Sequence, residues 1–401
     1  MRIVEINGGV FGSTGKIMLS LSDMAEKAGH TVLCCAPITK TNKRRDPGRP
    51  YYRIGSYYSR LVSVFVDRLF GGRATAFFST KKLIRRLNDF HPDLIHLHVL
   101  HGGFINYPLL FKYIKKNRIR VVWTFHDCWA FTGHCPYFDM VKCKKWTTGC
   151  YHCPSYKDYP RFFFDRSKKE YKLKKQSFTG VDDLTIVTPS KWLAEKVKQS
   201  FLKEYPVQVI NNGIDLSIFK PIESDFRQKN SISKEKYIVL GVSFVWGKRK
   251  GLDVFIELAK RLPDNYQIVL VGTDKQADKL LPKTILSIHR TQNQMELAEI
   301  YSAADLFVNP TREENYPTVN MESIACGTPV LTFKTGGSPE CIDETCGSAV
   351  DCDDIDTLIK EIIRICLEKP YSLHDCVMKA QSFDSNMKYR DYLSLFFREK
   401  R

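Results

Sequence analysis

Two glutamates carry the most informative spacing in this chain. Glu314 and Glu322 enclose seven residues within Arg312-Glu313-Glu314-Asn315-Tyr316-Pro317-Thr318-Val319-Asn320-Met321-Glu322. The apolar run Leu306–Val308 reads as a strand, and a helix is expected from about Pro317-Thr318. Gly327 should stop that helix before Pro329-Val330 open the next strand. Glu314 then lies in a loop at the carboxyl end of a strand, and Glu322 about one turn into the helix. Both can face the crevice where open parallel sheets bind ligands. A carboxylate there accepts hydrogen bonds from the vicinal hydroxyls of a ribose or hexose. The N–H groups around Tyr316–Thr318 suit a sugar hydroxyl or a phosphate.

A second candidate is the turn after the first strand, Asn7-Gly8-Gly9-Val10-Phe11-Gly12-Ser13-Thr14-Gly15-Lys16. Glycines at a strand-to-helix turn let backbone N–H groups approach a phosphate. Val10 and Ile17 exclude a Walker loop, the G-x-G-x-x-G spacing is absent, and a tight turn explains the segment equally well. Taken alone, Lys250 reads as a solvated loop lysine, Glu322 as a surface helix charge and His126 as a hydrogen-bonded structural histidine. His96, His98 and His101 flank another strand end. A metal trio is one reading of them, and acceptor-side or core roles are the preferred one. Asp351-Cys352-Asp353 imitates a D-x-D metal motif, but it lies in an acidic loop far along the chain and is set aside.

The chain has 13 cysteines, most of them expected as small buried hydrophobes. Cys135, Cys143, Cys150 and Cys153 differ, being separated by seven, six and two residues. They are candidate ligands of a structural tetrahedral zinc, with free or redox-active thiols as the alternative.

Positioning these residues falls to strands and helices that alternate nearly throughout. Expected strands are Arg2–Ile6, Thr31–Cys35, Leu94–Leu97, Val121–Thr124 and Leu184–Val187, then a second series at Val207–Ile210, Tyr237–Val242, Gln267–Val271, Leu306–Val308 and Pro329–Phe333. Between them lie helical patterns such as Lys16–Ala28, Thr80–Phe90, Lys191–Phe201, Leu252–Leu262 and Met295–Ser302. Such alternation predicts parallel sheets covered by helices on both faces, in two domains. The break is expected near Phe219-Lys220-Pro221. Residues from Met378 to Arg401 form one amphipathic pattern, with Tyr389, Tyr392, Leu393 and Phe396 at helical spacing.

The spread of motifs resembles the retaining, GT-B-fold glycosyltransferases of family 4. Besides the two glutamates these are the Gly8-Gly9…Gly15 loop, Thr124-Phe125-His126-Asp127, Thr188-Pro189-Ser190, Asn212-Gly213-Ile214-Asp215, Arg249-Lys250-Gly251 and Gly336-Gly337, in the family's order. The resemblance implies an α/β, GT-B architecture: two Rossmann-like domains facing across a cleft. Residues 1–216 would bind the acceptor and carry a cysteine-rich insertion at 128–155. Residues 217–378 would bind the nucleotide sugar, and a helix at 379–401 would cross back to the first domain. Glu322 would bind the ribose. Glu314 would contact the donor sugar, helped by backbone amides of Asn315, Tyr316 and Pro317. Lys250 would hold the diphosphate, His126 would bind the sugar and support the transition state, and Gly8 and Gly9 would let their loop close over phosphate or acceptor. Catalysis would need no metal or other cofactor. Front-face attack with the leaving phosphate as base would retain configuration, as negative charge grows on the departing diphosphate. Two departures stand out. Phe244 occupies the position of a diphosphate-clamp arginine, which Lys248 or Arg249 could replace. Asn315-Tyr316-Pro317 stands where the family has Gly-Phe-Gly.

Charge then separates the two halves. The net charge is +17, yet residues 1–216 hold 36 Lys and Arg against 17 Asp and Glu, whereas residues 217–401 hold 25 against 27. Lys40–Lys82 and Lys142–Lys175 are the basic segments. They carry Tyr51, Tyr52, Tyr57, Tyr58, Phe65 and Phe70, and Trp146, Tyr159 and Phe162–Phe164. A surface of this kind suits an anionic leaflet or a nucleic acid. With a nucleotide-sugar site in the same chain the membrane is favoured, and no nucleic acid is expected. The acceptor would be a polyprenyl-diphosphate-linked sugar or an oligosaccharide, in capsule, exopolysaccharide or O-antigen assembly. No apolar run approaches membrane-helix length, and the first residues read as a strand, not a signal peptide. The expected location is cytoplasmic, at the inner face of the membrane. Another GT-B enzyme, such as a nucleotide-sugar epimerase, and a basic nucleic-acid-binding protein are the alternatives.

Overall fold

The computed structural model describes residues 1–43 and 45–398. Arg44 of the first basic segment and residues 399–401 of the expected terminal helix lie outside the described residues. The chain divides into two compact units, Met1–Ile210 with the segment from Tyr389 onward, and Asn211–Lys388.

The first unit holds seven strands, β1 (Arg2–Ile6), β2 (Thr31–Ala36), β3 (Tyr52–Arg53), β4 (Leu94–Leu97), β5 (Arg120–Thr124), β6 (Leu184–Thr188) and β7 (Val207–Val209). They form one sheet in the order β3-β2-β1-β4-β5-β6-β7, and every pair is parallel. The central strands are buried on both faces, which is why they read as continuous apolar runs. Val207–Val209 pairs with β6, so the strand expected to open the second series instead closes the first sheet.

The second unit has six strands, β8 (Tyr237–Val242), β9 (Tyr266–Val271), β10 (Leu286–Ile288), β11 (Leu306–Asn309), β12 (Val330–Phe333) and β13 (Gly347–Val350). Their order is β10-β9-β8-β11-β12-β13, again all parallel. Residues 211–216, expected with the first domain, pack with this unit. Ile214 bridges Asp384, and a Cβ on Gly213 would stand 2.4 Å from Ser385 Cα, so only glycine fits that crossing. The terminal segment is not one helix: Leu373–Ala380 and Ser385–Phe396 are separated by the turn Gln381–Phe383. From Tyr389 the second of these packs on the first unit. Tyr389, Tyr392, Leu395 and Phe396 are buried among Ile3, Leu21, Leu94 and Val122. The Arg120 guanidinium donates to the carbonyls of Leu395 and Phe396, both at 2.9 Å, satisfying groups that a helix C-terminus leaves open.

Candidate active site

In the second unit β11 ends at Asn309, residues 310–317 loop outward, and the helix Thr318–Ala325 begins behind Pro317 and stops at Gly327 (φ +84°). A buried polar network holds this turn. Asn309 donates to Asn320 Oδ1 (2.7 Å), Asn320 donates to Ser338 O (3.4 Å), and Thr332 donates to Asn309 O (2.9 Å). Sequence reasoning passed over these residues, because ordinary polar types advertise no role until the fold buries them.

Glu314 is half-buried, with 15% of its side chain exposed, and forms an ion pair with Lys250 Nζ; its other oxygen accepts from Asn315 N (3.1 Å). Burial pushes its carboxyl up, but Lys250, the Asn315 amide and Arg249 outweigh that and hold it below the usual carboxylate range. Lys250 closes the short turn Lys248–Lys250, and Gly251 (φ +75°) follows. A Cβ on Gly251 would lie 2.4 Å from Pro310 O, and one on Gly336 (φ +56°) 1.7 Å from Glu314 O. These two glycines let three segments meet at Glu314. Glu322 is half-buried and accepts from the buried hydroxyl of Tyr301 (3.3 Å), a partner the sequence did not reveal.

Pro317, expected among the backbone donors, has no amide hydrogen and acts only as the cap residue of its helix. The Tyr316 side chain belongs to the core, and its carbonyl accepts from Asn212 (3.2 Å). Phe244 is 97% exposed. Of the cations considered in its place, Arg249 reaches Glu313 O (3.4 Å) and acts electrostatically on Glu314. Lys248 engages Arg312 through its carbonyl. Arg312 itself is held between Asp253 (2.8 Å) and Asp353 (2.7 Å), and Asp351 pairs with Lys334 (2.9 Å), which accounts for the D-x-D imitation.

In the first unit Asn7 organises the glycine loop. Its Oδ1 accepts from Gly8 N (2.8 Å) and its Nδ2 donates to Gly9 O (3.0 Å). Gly15 is required by packing, since a Cβ would stand 2.4 Å from Val10. Gly8 and Gly9 have ordinary van der Waals room, so the chain's own contacts do not explain them. His126 follows β5 and places Nε2 3.1 Å from His98 Nδ1. The three histidines do not form a trio. His96 and His98 are buried against Glu5, whereas His101 bonds Asp127 (2.8 Å) and Tyr159 (3.1 Å).

Cys135, Cys143, Cys150 and Cys153 are free and half-buried, in a segment whose helical content is two short turns, Trp129–Phe131 and Lys145–Thr147. Gly133 N donates to Cys150 Sγ (3.1 Å). Burial pushes the Cys150 thiol up to about 11 and raises those of Cys135 and Cys153, the reverse of a redox-active thiolate. Among the described residues, the set of three ligating atoms within 4.8 Å of one another is that of Glu5, His96 and His98, not of cysteines. Trp146 and Phe162, expected on the basic surface, are core residues. The helix Tyr57–Phe70 has no fully buried residue, and it exposes Tyr58, Leu61, Val62, Phe65 and Phe70. Among the described residues no helix is long and apolar enough to cross a membrane.

A family model described as Glycosyltransferase Family 4 matches residues 14–218, just over half of the chain, and one described as Glycosyl transferases group 1 matches residues 223–383. WcaC of Escherichia coli, provisionally named a colanic acid biosynthesis glycosyl transferase, is 25% identical over 279 residues, 67% of this chain and 66% of that one. The lipopolysaccharide glucosyltransferase WaaG of Escherichia coli is 31% identical over 150 residues, 35% of this chain and 39% of its own. A Campylobacter jejuni N,N'-diacetylbacillosaminyl-diphospho-undecaprenol alpha-1,3-N-acetylgalactosaminyltransferase is 26% identical over 56% of this chain and 63% of its own. The matches thus span 39% to 66% of these relatives' lengths. Among solved structures, a sucrose-phosphate synthase from Thermosynechococcus elongatus superposes with a TM-score of 0.71 at 20% identity, covering 98% of each chain. Anabaena HepE in complex with UDP gives 0.69 at 14%, covering 99% of each. These likenesses establish the fold as GT-B.

Proposed function

The chain belongs to glycosyltransferase family 4, and on that premise we propose that it moves a sugar from a nucleoside-diphosphate donor to a lipid-linked or saccharide acceptor, retaining configuration, in the assembly of a cell-surface polysaccharide. The observation that carries this reading is the Lys250–Glu314 pair beside the first turn of the helix bearing Glu322. Glu322, oriented by Tyr301, binds the ribose. Glu314, kept ionised by Lys250, accepts from a donor-sugar hydroxyl. Lys250 and Arg249 meet the negative charge that grows on the departing diphosphate, with Arg249 standing in for the arginine that Phe244 replaces. The amide of Asn315 and the first-turn amides of the helix add oriented dipoles. In the first unit His126 binds a sugar hydroxyl, and Gly8 and Gly9 leave room for phosphate or acceptor. No metal takes part in the transfer. Cys135, Cys143, Cys150 and Cys153 serve as structural thiols, a bracing zinc being the second reading of that segment.

The first unit binds the acceptor and lies on an anionic membrane surface through the exposed apolar and basic face of Tyr57–Phe70. The undecaprenol-linked substrate in the name of the Campylobacter relative supports a lipid-linked acceptor. A thermal shift series with UDP, GDP, their sugars and NAD tests the donor site. At one hundred times its Kd a nucleotide should stabilise the wild type by roughly 2.7 kcal/mol. Glu322→Ala should lose most of that shift. Stabilisation by NAD alone, or equal shifts in wild type and variant, would overturn the assignment.

A further inference from the structure

A glutamate in the middle of a core strand needs a reason. Glu5 is the fourth residue of β1 and only 1% exposed, where an unpaired carboxylate would be costly. Its register partner on β4 is His96. His98 prolongs that ladder by donating its N–H to Ile6 O (2.9 Å), and His126 lies just past the end of β5. Because β1, β4 and β5 are neighbours, Glu5, His98 and His126 form a row across the carboxyl edge of the sheet. His98 Nε2 is 3.0 Å from Glu5 Oε2, and His98 Nδ1 is 3.1 Å from His126 Nε2. The rings of the two histidines are inclined by 14°. Trp123 Nε1 donates to His98 O (3.0 Å) and holds the middle member. On the other side His96 Nδ1 lies 3.0 Å from Glu5 Oε1. His96 Nε2 lies 2.8 Å from Thr124 Oγ1, which donates to the Tyr392 hydroxyl (3.2 Å). These separations are those of a continuous hydrogen-bonded chain.

We infer that Glu5 and His98 are positioning residues that set which ring nitrogen of His126 carries its proton. An ionised carboxylate only accepts, so His98 donates from Nε2. A neutral His98 then has a lone pair at Nδ1, and it can only accept from His126 Nε2–H. In that tautomer His126 Nδ1 carries a lone pair, so it accepts a hydrogen bond and cannot give one. The protonation states agree. Burial opposes the Glu5 charge, but His96 and His98 bring its carboxyl down to about 2. Burial, then the neighbouring His96, brings His98 down to about 4 against the pull of Glu5. Burial, with His98, His96 and His101 around it, holds His126 well below the usual imidazole range. Tyr392, Asp127 and the Cys34 and Cys35 thiols are further titratable groups near the row. The inference rests on the reading of His126 as a sugar contact.

The test is nitrogen NMR of protein labelled at histidine, with His126 assigned by its loss in His126→Gln. In the wild type His126 should be protonated at Nε2; protonation at Nδ1 would overturn the inference without any variant. Glu5→Gln keeps an acceptor oxygen and should keep that tautomer. Glu5→Leu removes it and should shift His126 toward the Nδ1–H form; an unchanged tautomer in Glu5→Leu counts against the row. UDP release from UDP-glucose supplies a second readout. Glu5→Leu should lower kcat about tenfold to a hundredfold and leave KM within about twofold, by analogy with the loss of other partners that orient an imidazole. If His126→Ala releases UDP as fast as wild type, the sugar-contact reading fails while the tautomer result stands.

Discussion

At the scale of single residues the site depends on one ion pair whose two members have separate tasks. Lys250 keeps Glu314 ionised and, on the proposed function, also meets the charge of the leaving group. Lys250→Ala should therefore reduce kcat by about 10²–10³, the usual result of losing one oriented donor at a developing oxyanion. Arg249→Ala should cost less, roughly tenfold in kcat/KM, and Lys248→Ala should change little. Steady-state release of nucleoside diphosphate measures all three. A larger loss in Lys248→Ala than in Arg249→Ala would move the clamp role to Lys248. The two glutamates could be read from their spacing, and Lys250 only from the family resemblance of the motifs together. Tyr301, Asn309 and Asn320 could not, since a buried hydrogen bond between distant segments has no local sequence signal.

Strands β1, β4, β5 and β8 lie within a residue or so of their expected bounds, because strands buried on both faces are uniformly apolar. The two-residue β3 and the helix Tyr57–Phe70 were missed; the first is too short for periodicity, and the second has no fully buried residue. That exposed face yields a prediction. Leu61→Asp with Phe65→Asp should lower co-sedimentation with phosphatidylglycerol vesicles severalfold and leave the melting temperature unchanged, since neither side chain is in the core. Equal sedimentation of wild type and variant would remove this helix from the membrane surface. The cysteine segment makes its own test. Elemental analysis should find zinc below about a tenth of an equivalent per chain, and chelation should leave the melting temperature unchanged. About one zinc per chain would instead make the four half-buried thiols its ligands.

For the molecule as a whole, the two units should respond differently to acid. Glu5 has a folded pKa of about 2 against an ordinary 4.5, so its stabilisation is present above 4.5 and is lost as pH falls toward 2. His98 at about 4 against 6.5 makes the folded state bind fewer protons between those values, so stability also falls as pH drops through that window. Each contributes on the order of 3 kcal/mol at its limit. Asp67, pushed up to about 6 by burial, acts in the opposite sense between 6 and 3.8 and offsets part of the loss. Tryptophan fluorescence should therefore report acid unfolding of the first unit, which holds Trp123, Trp129, Trp146 and Trp192, beginning between pH 6.5 and 4. Glu5→Leu should remove the part of that dependence below about pH 4.5, because the carboxylate that titrates there is gone. A first unit stable to pH 3 would contradict the buried row.

Composition and periodicity alone were enough for two parallel-sheet domains and a basic first half, and for placing Glu314 in the loop after a strand and Glu322 in the helix that follows. Those features are local: burial on both faces dictates strand composition, and a helix start or stop needs only a few adjacent residues. Tertiary structure was needed for the rest. It assigned Val207–Val209 to the first sheet, broke the terminal helix at Gln381–Phe383, and separated His101 from His96 and His98. It also joined Glu5 to His126 across 121 residues of sequence. Parallel sheets make such pairings inevitable and hard to foresee. Neighbouring strands are joined by long crossovers, so the residues that meet at the sheet edge come from distant parts of the chain.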